Sequence, residues 1–435
     1  METTSLLHDP AFWLLVLFAI PLILRVPIAL ALGFSALVVV WQWDLGFSML
    51  SYNFFAGIAK FPLLAIPFFI LAGYIMERSG IAARIVALME ALVGSMTGGL
   101  AVATVAVATF WGAVSGSGPA TVAALGLIMI PALKKAGYSP AFACALMAAG
   151  GAIGVVIPPS ITFVVYGSIA DASITDLFKA GVIPGLLMGL GLIVAALFVG
   201  RKANLTVQPK ASGKERLKAF KDAFWGLLMP VIILGGIYGS IFTPTEAAAV
   251  AVFYALIVGF FIYRELNLKK LLASLSSSAV TTSTIMVIVG TATALARMLT
   301  LEKIPMELAN WIGGLTDSRI LVLLAMNIFL LIVGCVMDGT PAILILAPIL
   351  QPIAANYGVD PIHFGLMMCL NISIGFCTPP VGLNLFVATS LGNINFMTLC
   401  KRIVPFLIAL IVGLLLVTYI PAIPLCIPWL FGYGS

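Results

Sequence analysis

The chain has 435 residues, of which 62% are apolar or aromatic and only 9% charged, and its mean hydropathy is +1.19. Soluble domains carry about 25% charged residues, so this composition excludes a water-soluble enzyme. The formal charge of +6 points to no nucleic-acid partner, because in so apolar a chain Lys and Arg act first as topology signals. The six cysteines stand singly in apolar runs, without the paired spacing of a zinc or redox site, and read as small buried hydrophobes. The opening METTSLLHDP has neither a basic region nor a cleavage site, so the first apolar segment is expected to stay in the mature protein.

Apolar stretches long enough to cross a hydrocarbon core of about 30 Å recur along the chain. Spans are predicted at 11–25, 27–43 and 54–76, followed by an amphipathic interfacial helix at 77–90. Next come two apolar arms, 97–114 and 119–133, joined by SGSGPAT at Ser115 to Thr121. A Gly- and Pro-rich joint cannot stay helical, and arms this short suit a re-entrant hairpin within about 97–135. A segment at 140–170, broken by GVVIPPS at Gly154 to Ser160, and a span at 181–200 follow. A basic linker at 201–222 leads to spans at 224–242, 246–264 and 278–298. Hairpin arms at 319–335 and 341–355, a broken segment at 362–391 and a span at 402–423 complete the series. Helix starts are legible at Ser139-Pro140, Asp360-Pro361 and Thr243-Pro244-Thr245-Glu246, each a capping residue followed by Pro at the first helical position.

Sliding the sequence by 221 residues aligns its punctuation without a gap. Gly118 falls on Gly339, Pro131 on Pro352, Gly137 on Gly358, Pro140 on Pro361, Gly154 on Gly375, Pro158 and Pro159 on Pro379 and Pro380, and Pro184 on Pro405. Two structural repeats are expected, residues 1–200 and 223–435. With five spans between non-crossing hairpins, the hairpins enter from opposite sides and the repeats are inverted. Placing the linker in the cytoplasm leaves only Lys60, Lys179, Arg297, Lys303 and Arg319 of the 22 basic residues outside, as the positive-inside rule asks. Both termini are then extracytoplasmic.

Backbone groups freed by a helix break cannot face lipid, so the four breaks, at Ser115–Thr121, Gly154–Ser160, Asp338–Pro341 and Gly375–Asn384, must line a buried cavity. Transporters use such breaks, with carbonyl ends for Na⁺ and free N–H ends for anions. Ser115, Ser117, Thr121, Ser160, Thr340, Thr378 and Asn384 supply small neutral oxygens there, and Asp338 is the one acid in the four breaks. A lone Ser or Thr in a helix usually bonds its own i−4 carbonyl, but repetition at equivalent breaks favours a site, and an intramembrane carboxylate marks one. An intramembrane serine protease would have to pair Ser117 with His363, which sits at a helix start near the surface. An aspartyl protease needs a second carboxylate, and a channel has no need of paired hairpins entering from opposite sides.

The stretches SGSGPATVAALGLIMIPALKKAGYSPAFACAL, GVVIPPSI, TPTEAAAVAVFYAL, MDGTPAILILAPIL and GFCTPPVGLNLFVATS resemble the large membrane subunit, called M or DctM-like, of tripartite ATP-independent periplasmic (TRAP) transporters. The resemblance covers nearly the whole chain. It implies an all-α polytopic protein of a bacterial inner membrane, surrounded by lipid and working as a Na⁺-coupled elevator-type secondary transporter. It also implies a small four-helix membrane subunit, expected as a separate chain, and a periplasmic binding protein that delivers an organic acid. C4-dicarboxylates, sialic acids and other carboxylates are all open as cargo, and no enzymatic activity is expected. Carried over residue by residue, a first Na⁺ site would use Ser115 and Gly118 with Gly154, Ile157 and Pro159, and a second Gly334 and Asp338 with Gly375 and Thr378. The substrate would lie near Ser117, Thr121, Ser160, Thr340 and Asn384. The chain departs from the commoner family pattern at Pro119, which weighs against side-chain ligation at that tip. A stand-alone divalent-anion:Na⁺ symporter, a relative with the same hairpin plan, is the alternative.

Overall fold

The computed structural model describes residues 10–24, 26–200 and 209–434. The expectations about both chain ends, Arg25 and the first part of the linker, including Arg201 and Lys202, fall outside the described residues. The described residues form helices without strands, eight of them long and apolar enough to cross a membrane, or nine if one bent pair counts as a span.

The first half runs α1 (Pro10–Ile23), α2 (Ile28–Gln42), α3 (Phe47–Ile58), a 3₁₀ turn at Phe61–Leu64, α4 (Ala65–Arg78) and α5 (Ile81–Val93). Two hairpin arms follow, α6 (Gly99–Ser115) and α7 (Gly118–Lys135), then α8 (Pro140–Val156), α9 (Ile161–Ile169) and α10 (Ile174–Gly200). The second half runs α11 (Gly213–Tyr238), α12 (Pro244–Ile257) with a π turn at Val258–Ile262, α13 (Leu268–Leu301) and α14 (Ile304–Leu315). Its hairpin arms are α15 (Arg319–Val336) and α16 (Gly339–Asn356), followed by α17 (Pro361–Gly375), α18 (Leu383–Gly392), α19 (Phe396–Tyr419) and α20 (Ala422–Leu430).

Local chemistry explains most boundaries. Ser139 Oγ accepts from Phe142 N at 3.2 Å, and Asp360 Oδ1 accepts from Ile362 N and His363 N at 2.8 and 3.1 Å, so both broken segments begin on a capped turn with Pro inside it. Thr243 and Glu246 form the expected capping box, and Ser212 and Glu215 form a second one. That second box starts α11 at Gly213, inside the stretch read from sequence as linker. The span expected at 54–76 is two pieces, because Pro62 has no N–H to continue α3 and restrains Phe61 before it. The interfacial helix expected at 77–90 begins at Ile81, after Gly80 in the left-handed region at φ +70°; Glu77 and Arg78 belong to α4. Helices α14 and α20 were not anticipated.

Each hairpin joint is two residues long, Gly116-Ser117 and Met337-Asp338. Equivalent starts recur 221 residues on: Gly118 and Gly339 begin α7 and α16, Pro140 and Pro361 begin α8 and α17. On the same offset, α13 covers in one 34-residue helix the interval that α3, the 3₁₀ turn and α4 divide between them.

Helices α8 and α17 are buried over nearly their whole length; helices apolar on every face belong at the centre of a membrane bundle. Ser373 Oγ on α17 donates to the Ala152 carbonyl on α8, and these residues are themselves 221 apart. Around this pair pack both hairpins, α9, α10, α18 and α19. The second arm of each hairpin touches a broken helix of its own half and one of the other, α7 on α8 and α18, α16 on α17 and α9. A separate wall is built from α2, α3, α4, α12 and α13, with Tyr74 Oη 3.2 Å from Thr281 Oγ1 across it.

Glycine allows the closest approaches. A Cβ at Gly112 would stand 2.7 Å from the Gly154 Cα, and one at Gly334 2.7 Å from the Ile372 Cα, whereas one at Gly213 would meet nothing within 4 Å. Small-residue contacts of this kind bring membrane helices together. Gly112→Val or Gly334→Val should therefore destabilise the fold by about 1–3 kcal/mol, read as earlier thermal aggregation in detergent, and Gly213→Ala should leave the transition unmoved.

Candidate functional site

A cavity of about 380 Å³ opens between the hairpin-bearing bundle and the wall. On the bundle side it is lined by both tips, Ser115 to Gly118 and Asp338 with Thr340, and by Ile161 and Thr162 at the start of α9. Tyr74 and Glu77 of α4 and Thr281 and Thr284 of α13 face them. These wall residues were missed from sequence, although the hydroxyl-rich run Ser274 to Thr284 in an otherwise apolar span was a usable signal.

The first tip gathers oxygen. Ser115 Oγ lies 2.8 Å from Thr121 Oγ1 and 3.2 Å from the Ser117 carbonyl, which also accepts from Thr121 Oγ1 at 2.8 Å. A Cβ at Gly154 would stand 2.7 Å from Thr121 Oγ1 and 3.4 Å from the Ser117 oxygen, and one at Gly116, whose φ is +59°, 2.9 Å from the Pro159 oxygen. Tip and break thus touch through Gly116, Ser117 and Thr121 on one side and Gly154 and Pro159 on the other, with Ser115 joined to them through Thr121. Ile157 turns its side chain to Gly185 on α10, leaving only its backbone for the tip. Gly118 packs against Asn384 and the Gly151 oxygen.

At the second tip, Gly334 and Gly375 are in backbone contact. Cys335 Sγ donates to the Thr378 carbonyl at 2.9 Å, the Cys335 oxygen accepts from Gly382 N at 3.0 Å, and Thr378 Oγ1 donates to the Ile374 oxygen at 2.9 Å. Gly334, Gly375 and Thr378 are therefore gathered at one crossing. Asp338 stands apart on the cavity side, its Oδ1 accepting from Gly339 N at 2.7 Å.

Of the residues assigned to substrate from sequence, Ser117 and Thr340 line the cavity. Thr121, Ser160 and Asn384 are fully buried and outside its lining. Thr121 belongs to the oxygen cluster with Ser115. Ser160 Oγ donates to the Val155 carbonyl at 2.5 Å and lies 2.8 Å from Thr162 Oγ1. Asn384 Nδ2 bonds the Ala148 carbonyl at 3.1 Å, so it ties α18 to α8 beneath the first tip.

Helix ends set the electrostatics. The N-cap residues of α7 and α9, Ser117 and Ser160, make no side-chain bond to the first-turn N–H groups, and Gly118, Ala120, Ile161 and Thr162 of those turns line the cavity. Uncapped N-termini carry partial positive charge and donors, the ordinary provision for an anion. The neutral oxygens at the first tip are the donors a hard monovalent cation takes.

Helical breaks that meet at a cavity between a buried bundle and a membrane wall define a polytopic membrane protein of the transporter class. The chain belongs to the family of the DctM component of tripartite ATP-independent periplasmic transporters, whose model matches residues 14–423, and is of the large-permease kind. It is 45% identical to a C4-dicarboxylate TRAP transporter large permease protein of Pseudomonas aeruginosa, over 88% of this chain and 90% of that one. It is 44% identical to an isethionate TRAP transporter permease protein of Oleidesulfovibrio alaskensis, over 96% of this chain but 66% of that longer relative. With a sialic acid TRAP transporter large permease protein of Vibrio cholerae the identity is 38%, over 97% and 98%. The fold is similar to that of the Alcanivorax borkumensis YdaH transporter, with TM-score 0.63 at 16% identity, over 97% of this chain and 100% of that one.

The lining makes a direct prediction. Ser117→Cys and Thr340→Cys should react with a small polar thiol reagent added from one and the same side of the membrane, while the buried Ser160→Cys should stay unreactive until the protein is denatured.

Proposed function

We propose that this chain carries a small organic anion across a bacterial inner membrane, driven by Na⁺. The observation that carries the reading is the convergence of two hairpin tips and the α8–α9 break on one cavity, with uncapped helix N-termini for the anion and clustered hydroxyl and carbonyl oxygens beside it. Na⁺ would be held near Ser115, Thr121, Gly154 and Pro159, and a second ion near Gly334, Asp338, Gly375 and Thr378. The anion would lie against Ser117, Gly118, Thr162 and Thr340. The relatives' names, with C4-dicarboxylate, isethionate and sialic acid among them, have a small acid in common, and that is the cargo class we assign.

In this reading the halves 1–200 and 223–435 are inverted repeats and the hairpins are re-entrant. The second arms start at the buried cavity and not at a lipid face, which supports re-entry even though α15 and α16 are each long enough to span. The hairpin-bearing bundle slides against the wall of α2, α3, α4, α12 and α13 as an elevator. The wall is thin, so a small four-helix membrane subunit packed on it would enlarge the anchor, and a periplasmic binding protein would deliver the acid.

Asp338→Asn tests the ion site, because Asn still caps α16 but lacks the charge. Na⁺-dependent uptake into vesicles holding the assembled system should fall at least about tenfold, with insertion and thermal stability retained. Undiminished uptake with unchanged Na⁺ dependence would remove Asp338 from the site. The topology is tested separately: cysteines at Ser212 and Asn356 should label from opposite sides of the membrane, and same-side labelling would exclude the inverted arrangement.

A further inference from the structure

A second cavity, of about 430 Å³, is lined among others by Asn53, Lys60, Ser168, Thr293, Arg297 and Thr300. It lies along the same three helices as the first cavity. On α13, residues Val280 to Ile288 line the first cavity and Val289 to Thr300 the second, a run of about 30 Å at 1.5 Å per residue. On α9, Ile161 and Thr162 give way to Ser168 and Ile169, and on α16 Thr340 gives way to Leu344 and Pro348. On α13 the two linings adjoin, Ile288 in the first and Val289 in the second, while Val165 on α9 and Ile343 on α16 lie between them and are buried.

The two cavities carry opposite charge. The charged residues lining the first cavity are Glu77 and Asp338, whereas the second has Lys60 and Arg297 with a single acid, Asp171. Lys60 is engaged: its Nζ donates to the Ser168 carbonyl at 2.5 Å and lies 3.6 Å from Asp171 Oδ1. Arg297 is exposed to the cavity, and among the described residues no ion pair uses it. A guanidinium lining a cavity has a planar fork that suits a carboxylate or sulfonate. The hydroxyls of Thr293 and Thr300 donate to the Val289 and Ala296 carbonyls of their own helix, and Asn53 Nδ2, which bonds the Met49 carbonyl at 2.7 Å, keeps a second N–H as the neutral donor of the lining.

We infer that this second cavity is an anion-docking vestibule in which Arg297, assisted by Lys60, binds the acidic group of the transported molecule before it reaches the first cavity. The inference rests on the organic-anion transport proposed above, and it adds a second binding station further along the same helices. Docking at Arg297 would also draw the anion toward Lys60 and compete with its contact to Asp171, the tie between the wall and the end of α9.

The test reads the vestibule without requiring transport. Thr300→Cys, one helical turn from Arg297, is labelled with an anionic sulfonatoethyl and a cationic trimethylammonioethyl methanethiosulfonate, against the parent chain. The anionic-to-cationic rate ratio should drop at least about fivefold when Arg297→Gln is added, stay high with Arg297→Lys, and shrink with added salt. In the assembled transporter, Arg297→Gln should raise KM for whichever of succinate, sialic acid and isethionate is taken up and leave kcat within about twofold, as lost uniform binding does. A rate ratio unaffected by Arg297→Gln, or an unchanged KM, overturns the vestibule. A falling ratio in a protein that takes up none of the three acids supports the vestibule and counts against the transport reading alone.

Discussion

In a bilayer every backbone N–H and C=O must be satisfied within the protein, and a group left bare against lipid costs several kcal/mol. That constraint governs this molecule, because its chain breaks helical hydrogen bonding four times within apolar sequence. Such breaks are tolerable only where protein or an aqueous cavity surrounds them, so the helices that carry them must be the most buried ones. Helices α8 and α17 meet that requirement. The hairpin tips then close over the breaks, and the carbonyls and N–H groups released from helices become the chemical equipment of the cavity.

Glycine decides how closely tip and break can approach. Gly112 on Gly154 and Gly334 on Gly375 bring backbones into contact where any side chain would hold them apart. Ser115, the Ser117 carbonyl and Thr121 form one cluster of oxygens within the first tip, and Gly154 leaves room for the Thr121 hydroxyl against the break. The second tip follows the same plan with different chemistry. Ser117 and Asp338 occupy equivalent N-cap positions, and only the acid bonds its first-turn N–H. The first tip therefore keeps open donors beside neutral oxygens, and the second contributes a formal charge.

Much of this was legible because Gly and Pro act through local geometry that tertiary context rarely overrides. The joints at Ser115 to Thr121 and at Asp338, and the helix starts at Pro140, Thr243 and Asp360, stand where the sequence points. What was less legible depends on which way a side chain faces. Thr121, Ser160 and Asn384 lie near breaks, yet helical rotation turns them into the packed interior, and proximity along the chain carries no information about that. The wall residues Tyr74, Glu77, Thr281 and Thr284 belong to helices with no break, so a search for breaks passes over them. The division into α3 and α4 follows from Pro62, and Lys60 two residues before it was a further sign of a break within the apolar run. Short α14 and α20 lack the length that makes a span recognisable.

The central claim is that one broken-helix cavity holds an organic anion and its coupling ion together. If so, the two binding reactions are linked, and each ligand must tighten the other by the same factor, about 5- to 150-fold for typical couplings. The measurement is equilibrium binding of radiolabelled succinate, sialic acid or isethionate to the purified assembly in Na⁺ and in K⁺, with Na⁺ affinity determined with and without the acid that binds. The account predicts equal and reciprocal enhancement. Anion binding of the same strength in K⁺ as in Na⁺ would contradict it.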